Sequence, residues 1–254
     1  MYGPIVALLC GWPLVATAVE IKVYAPGGVR SALLAAARSF EHETGHTVRY
    51  TFGTGGGVLK QVVDGAPADV TVLPSASIAD LEKRGLTAQG SRVSVGSVGI
   101  GIGIKAGAPR PKIGTPDELR TSLLAATSIT YADPAKGGTS GTYFATVVLP
   151  RLGIAEQLKS KTVLTGVGED AVRRVANGDS EIVIVQASEI TAVPGAELVG
   201  PLPSELQNDI PYAAVALKTS KSPDAARAFV SYLASPPGLA AFRAAGFSPT
   251  ASTR

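Results

Sequence analysis

The strongest constraint on how this chain can fold is a hydrophobic period that keeps switching between two residues and 3.6. "EIKVYAP" puts Ile21, Val23 and Ala25 at alternate positions and stops at Pro26, as a strand with one buried face does. "GGVRSALLAAARSFEHETG" follows, with Val29, Leu33, Ala36, Ala37 and Phe40 on one helical stripe. Gly45 stands where a left-handed cap would end that helix. "HTVRYTF" alternates again, "GGGVLKQVVDG" predicts a short helix, "ADVTVLPS" a strand and "SIADLEKRG" a helix. From Arg92 the order is extended chain in "RVSVGSVGIGIGIKAG", then helix in "PDELRTSLLAA" and strand in "SITYADP". Helices in "TSGTYFATVVLPRLG" and "EDAVRRVANG" lead to a strand in "SEIVIVQAS" whose apolar run predicts burial. "PYAAVAL" adds a strand, and "SPDAARAFVSYLAS" and "PGLAAFRAAGF" add two helices. Such alternation with short connections predicts an α/β fold with largely parallel sheets. The sequence contains no internal repeat.

With 254 residues, 45% of them hydrophobic, the chain can bury one large core or two of ordinary size. Charged residues make up 17% and the net charge is +3, without a basic run interleaved with aromatics, so nucleic acid is not an expected partner. The first residues are apolar from Ile5 to Val15 and close on Ala16-Thr17-Ala18. That small-x-small ending predicts a signal peptide over 1–18 and a periplasmic protein, although the usual positive start is missing. Cleavage there would remove Cys10, the single cysteine, and with it any disulfide or thiolate metal site.

"EHETGH" holds a formal HExxH in His42, Glu43 and His46. The motif binds zinc only when both histidines leave one face of a continuous helix. Here Gly45 falls between them, at the expected helix end, and the chain has no third histidine. "GTSGT" at 138–142 misses the nucleophile elbow by one residue, and "GTGGGVLK" lacks the lysine–serine pair of a phosphate loop. No catalytic residue, metal or cofactor is therefore expected.

Three loops of glycine and small polar residues each follow a predicted strand and open a predicted helix. They are Pro26-Gly27-Gly28, Gly53-Thr54-Gly55-Gly56-Gly57 and Lys136-Gly137-Gly138-Thr139-Ser140-Gly141. A helix N-terminus offers unpaired N–H groups and a positive dipole end, and glycine lets a ligand come near the backbone. Gly99, Gly101 and Gly103, on one face of an extended stretch, likewise leave room for another backbone or a ligand.

The stretch from "IKVYAPGG" through "TFGTGGG" and "DGAPADVTVLPS" resembles the opening of the periplasmic molybdate-binding proteins of ABC importers. "DGAPADV" is its most specific piece, and "ADP", "IVIVQASEI", "PYAAVAL" and "AAFRAAGF" continue the likeness in order. The resemblance implies a two-lobed type II periplasmic-binding-protein fold, each lobe a mostly parallel sheet flanked by helices. One lobe would comprise residues 19–92 and 195–254 and the other 93–194. It also implies a monomeric receptor that clamps a small anionic solute between its lobes and hands it to a membrane permease, without catalysis. Serines that grip the oxyanion in the family correspond here to Gly28 and Gly55 to Gly57, and a tyrosine that closes the site corresponds to Gln186. The expected ligand-binding set is Gly27, Gly28, Arg30, Thr54, Gly55, Gly56, Gly57, Thr139, Ser140, Gly168 and Gln186. Two ligand classes stay open: a metal oxyanion held by backbone N–H groups, or an organic carboxylate in a roomier cleft, with Arg30 as its partner. Two further readings are a ligand-sensing domain of LysR type, which needs a helix-turn-helix before the first strand, and the zinc peptidase.

Overall fold

The structure, a computed structural model, describes residues 18–250, so the expected signal peptide and Cys10 lie outside the described residues apart from position 18. The first half runs β1 (Glu20–Pro26), α1 (Arg30–Thr44), β2 (Thr47–Gly53), α2 (Gly55–Val63), β3 (Val70–Pro74), α3 (Ser75–Lys83) and β4 (Val93–Val98). The second runs β5 (Ile100–Lys105), α4 (Pro116–Ala125), β6 (Ile129–Ala132), α5 (Thr139–Tyr143), α6 (Leu149–Leu152), α7 (Ala155–Lys159), β7 (Thr162–Thr165), α8 (Gly168–Asn177), β8 (Ile182–Gln186), α9 (Ala187–Thr191) and β9 (Ala196–Pro201). β10 (Ile210–Ala216), α10 (Pro223–Leu233) and α11 (Pro236–Ala244) end the described chain.

These elements build two five-stranded sheets, ordered β2-β1-β3-β10-β4 and β7-β6-β8-β5-β9. In each, three strands pair in parallel, and the fourth place is taken by a strand antiparallel to both neighbours. Four of five strands in each sheet thus run one way. The two orders have the same pattern, so the lobes repeat each other in topology where the sequence shows no repeat.

The chain changes sheet at Gly99, between β4 and β5, and again between β9 and β10. The expected breaks near residues 92 and 195 each fall one strand early, because β4 pairs with β10 in the first sheet and β9 with β5 in the second. The two crossovers are tied to each other. The Gln207 amide accepts from Ile100 N at 3.0 Å and donates to Ile100 O at 3.0 Å, as a neighbouring strand would.

The first helix forms as its stripe predicts. Val29, Leu33, Ala36, Ala37 and Phe40 are all buried, and Phe40 packs edge-on against Phe229 of α10, centroids 5.0 Å apart. Gly45 caps the helix in the left-handed region at φ 73°. His46 therefore lies past the helix end, where its Nδ1 accepts from Val19 N at 3.3 Å, and it shares no helical face with His42. Asp69, in the conspicuous "DGAPADV", is buried and structural. It accepts from Lys22 N (2.8 Å), Ser220 Oγ (2.7 Å) and Lys221 N (3.2 Å), joining β1 to the approach to α10.

Candidate functional site

The three glycine loops meet. Gly27, Gly28, Thr54 and Gly55 of the first lobe face Thr139, Ser140, Gly168 and Gln186 of the second around a cavity of about 20 Å³, with Pro26, Gly53, Ala132, Gly138 and Glu189 completing its wall. That is room for about one water. The roomier cleft expected from the missing side chains is absent, and the contacts give the reason. The loops use their bareness to approach each other rather than to leave space.

Gly56 N donates to Gly137 O at 3.0 Å across the cleft, and a Cβ on Gly56 would stand 2.9 Å from the Gly137 Cα. Gly137 is itself in the left-handed region at φ 76°. The backbones are thus in direct contact, and a side chain on either would hold the lobes apart. A Cβ on Gly28 would overlap the Gln186 amide, so Gln186 fills the volume left by the absent side chain. That amide pairs with the buried Tyr212 hydroxyl of the first lobe, Nε2 to Oη 2.8 Å. Burial raises the pKa of Tyr212, which keeps the phenol protonated in that pair. Ser188 Oγ donates to Gly28 O at 2.7 Å.

Two expected donors are already committed. The Gly56 N–H serves Gly137, and the Thr54 hydroxyl donates to Lys136 O while accepting from Gly57 N at 3.0 Å as the N-cap of α2. Gly57 is engaged in that cap and is not a wall residue. Thr139 lines the cavity opposite Gly55, and Ser140 lines it as a buried residue. Arg30 stands outside the cavity, at the rim. Its Nη1 lies 2.6 Å from Glu169 Oε2 in the other lobe and its guanidinium stacks 4.8 Å from the Phe52 ring centroid. Glu169 also holds Arg173, at 2.6 Å.

The residue that sequence reasoning missed is Glu189. It is the third residue of α9, only 9% exposed, and lines the cavity. Its helix sits close on β5 because Gly101 and Gly103 are bare: a Cβ on Gly101 would be 3.3 Å from the Ala187 Cα, and one on Gly103 2.9 Å from Ile190 Cγ2. The glycine face of β5 therefore does admit a neighbouring backbone, and so positions the acid. The carboxyl is wedged between Gly27 and Gly168, either of which would strike it with a Cβ. Burial pushes its pKa up to about 7, the Gln186 backbone hydrogen bond pulls it down, and the Glu169 charge adds to the rise. The spacing Gln186-Ala-Ser-Glu189, directly after an apolar strand, is that of an N-cap followed by a glutamate that reaches back to it. That spacing was the available signal.

Comparison with known proteins agrees with this architecture. Residues 21–248 match the family model described as bacterial extracellular solute-binding protein. An aconitate isomerase from a Pseudomonas species is 29% identical over 249 residues, covering 95% of this chain and 93% of that protein. The molybdate-binding protein ModA of Azotobacter vinelandii is 31% identical over 241 residues, covering 91% of each chain. In structure, the periplasmic molybdate-binding protein of A. vinelandii superposes with a TM-score of 0.76 at 23% identity, covering 91% of this chain and all of that one. The sulfate-binding protein SubI of Mycobacterium tuberculosis gives 0.70 at 20% identity, covering 92% and 88%. The chain therefore belongs to the bacterial extracellular solute-binding protein family, and resembles that family's periplasmic molybdate-binding proteins in sequence and fold.

Proposed function

We propose that this receptor, extracytoplasmic and of ABC-importer type, takes a small organic carboxylate between its lobes, rather than a tetrahedral metal oxyanion, and delivers it to a permease. The observation that carries this reading is the chemistry of the cleft wall. On the first lobe the wall has one hydroxyl, that of Thr54, and it is already engaged. On the second it has a buried acid, Glu189. A dianionic oxyanion beside that group meets a repelling carboxylate or must rely on its proton, and finds few free hydroxyls to replace its water. A carboxylate ligand can share the Glu189 proton and take backbone N–H groups at the starts of α8 and α5. The solute enters as the lobes part, and closure around it is favoured because only the closed form offers donors from both sides.

A thermal-shift panel of molybdate, tungstate, sulfate, phosphate and di- and tricarboxylates tests the reading. A ligand at 100 times its dissociation constant adds about 2.7 kcal/mol, a clear rise in Tm. The expected outcome is stabilisation by a carboxylate. Stabilisation by molybdate or tungstate alone would replace this reading with the oxyanion one.

A second reading, an isomerase, is favoured by one specific observation: the cleft wall holds a buried acid, Glu189, whose pKa burial pushes up to about 7, as suits a group that both removes and returns a proton. The likeness to an aconitate isomerase along 95% of the chain supports it.

A further inference from the structure

Glu189 belongs to two cavities at once. It lines the cavity between the lobes and also a surface pocket of about 150 Å³ bordered by Gly27, Arg30, Glu169 and Val193. The carboxyl therefore borders a surface pocket as well as the space between the lobes, which gives it a side open toward solvent. The bare Gly27 and Gly168 leave the space the carboxyl occupies, and the Gln186 backbone hydrogen-bonds it there.

We propose that Glu189 is a catalytic acid–base residue, moving a proton from one carbon to another of an unsaturated di- or tricarboxylate held in the cleft, so that the site isomerises its ligand. This rests on the carboxylate reading above and names the residue that would do the chemistry. In the fraction of sites where Glu189 is ionised, its carboxylate takes a proton from the carbon next to a ligand carboxylate. The C–H electron pair becomes the new double bond, and the π pair of the old double bond takes the proton back from Glu189 at its far carbon. One O–H bond forms and breaks on Glu189, the double bond moves by one position, and no oxidant or water is consumed. Charge that builds on the ligand carboxylate in between faces the N–H groups at the start of α8 and the hydroxyls of Thr139 and Ser140.

The groups that bear on Glu189 are Arg30 from α1, Glu169 and Arg173 from α8, Tyr212 from β10 and the Gln186 backbone. Burial dominates, the Glu169 charge adds to the rise although Arg30 and Arg173 both pair with it, and the carboxyl's pKa is pushed up to about 7. The rate should rise with pH through that value and then level, with a bound anion moving the inflection upward.

The test follows each geometric isomer of aconitate with the full chain in heavy water by proton NMR, alongside its effect on Tm. The expected result is deuterium entering the ligand at carbon with interconversion of the isomers. In Glu189→Gln the rate should fall by roughly a hundredfold or more, with aconitate still raising Tm. Aconitate that stabilises the wild type with neither exchange nor interconversion overturns the proposal and leaves the carboxylate reading standing. Exchange at an unchanged rate in Glu189→Gln also overturns it. If no carboxylate stabilises the wild type, both fall together. Should Glu189→Gln fail to fold, a wild-type exchange rate that is flat between about pH 5 and pH 9 overturns the proposal.

Discussion

Glu189 makes the protein's stability depend on pH, and the sign is set by the direction of its shift. Its carboxyl titrates at about 7 when folded, against an ordinary value of 4.5. The folded state holds the proton more tightly, so the contribution is complete below about pH 4.5 and is lost as pH rises through 7. Glu189→Gln should therefore match the wild type near pH 4 and exceed it near pH 8 by at most about 3 kcal/mol, as thermal unfolding at the two pH values will read. Gly28 and Gln186 are coupled in another way, since one occupies the volume the other leaves. Gly28→Ser alone should weaken ligand binding by about tenfold or more. Adding Gln186→Ala should recover part of that loss, with an interaction energy of roughly 1 kcal/mol in the double-mutant cycle. At this scale the sequence could not say which of the expected residues are already engaged. Thr54 and Gly56 read as free donors because Lys136 O and Gly137 O, their partners, are about 80 residues away in the chain.

The loop that opens α2 and the turn before α5 act as paired surfaces. Gly56→Val should leave the fold of each lobe intact, because the nearest atoms an added Cβ meets are those of Gly137 in the other lobe. The expected outcome is a larger radius of gyration in small-angle scattering and loss of the ligand-induced Tm shift, with Tm of the free protein nearly unchanged. A Tm fall of the size seen for core truncations would show that Gly56 supports the lobe instead. Most elements were legible from their period. Two strands were not, β7 and β9, and both are sheet edges whose residues are mostly half-buried, so neither alternates cleanly. The extended stretch from Arg92 read as one element and is two, divided at Gly99. The helix through "TSGTYFATVVLPRLG" is continuous as expected, but Phe144–Val148 widens to a π-helix just before Pro150, whose nitrogen cannot donate to the ladder.

Across the whole molecule, closure is held by a few contacts between the lobes: Gly56 to Gly137, Thr54 to Lys136, Ser188 to Gly28, Gln186 to Tyr212 and Arg30 to Glu169. The last is at the rim, with the Arg30 side chain 45% exposed, so it contributes on the order of 0–1 kcal/mol. Arg30→Ala should thus weaken ligand affinity by no more than about fivefold, and by less at 0.5 M salt, as isothermal titration will show. A loss of a hundredfold or more would mean that Arg30 leaves Glu169 on opening and grips the ligand itself.

The sequence by itself determined the α/β class, the buried faces of the main strands and helices, and the three glycine loops, since each is encoded in neighbours a few residues apart. Only the tertiary structure decided that β10 enters the first sheet between β3 and β4, that the glycine loops touch backbone to backbone, and that Glu189 stands in the cleft with its proton held to about pH 7. Strand pairing across the crossovers joins distant segments. The Glu189 shift arises mainly from burial, and that burial is made by segments far apart in the chain, Gly27 and Gly168 among them, packing around the carboxyl.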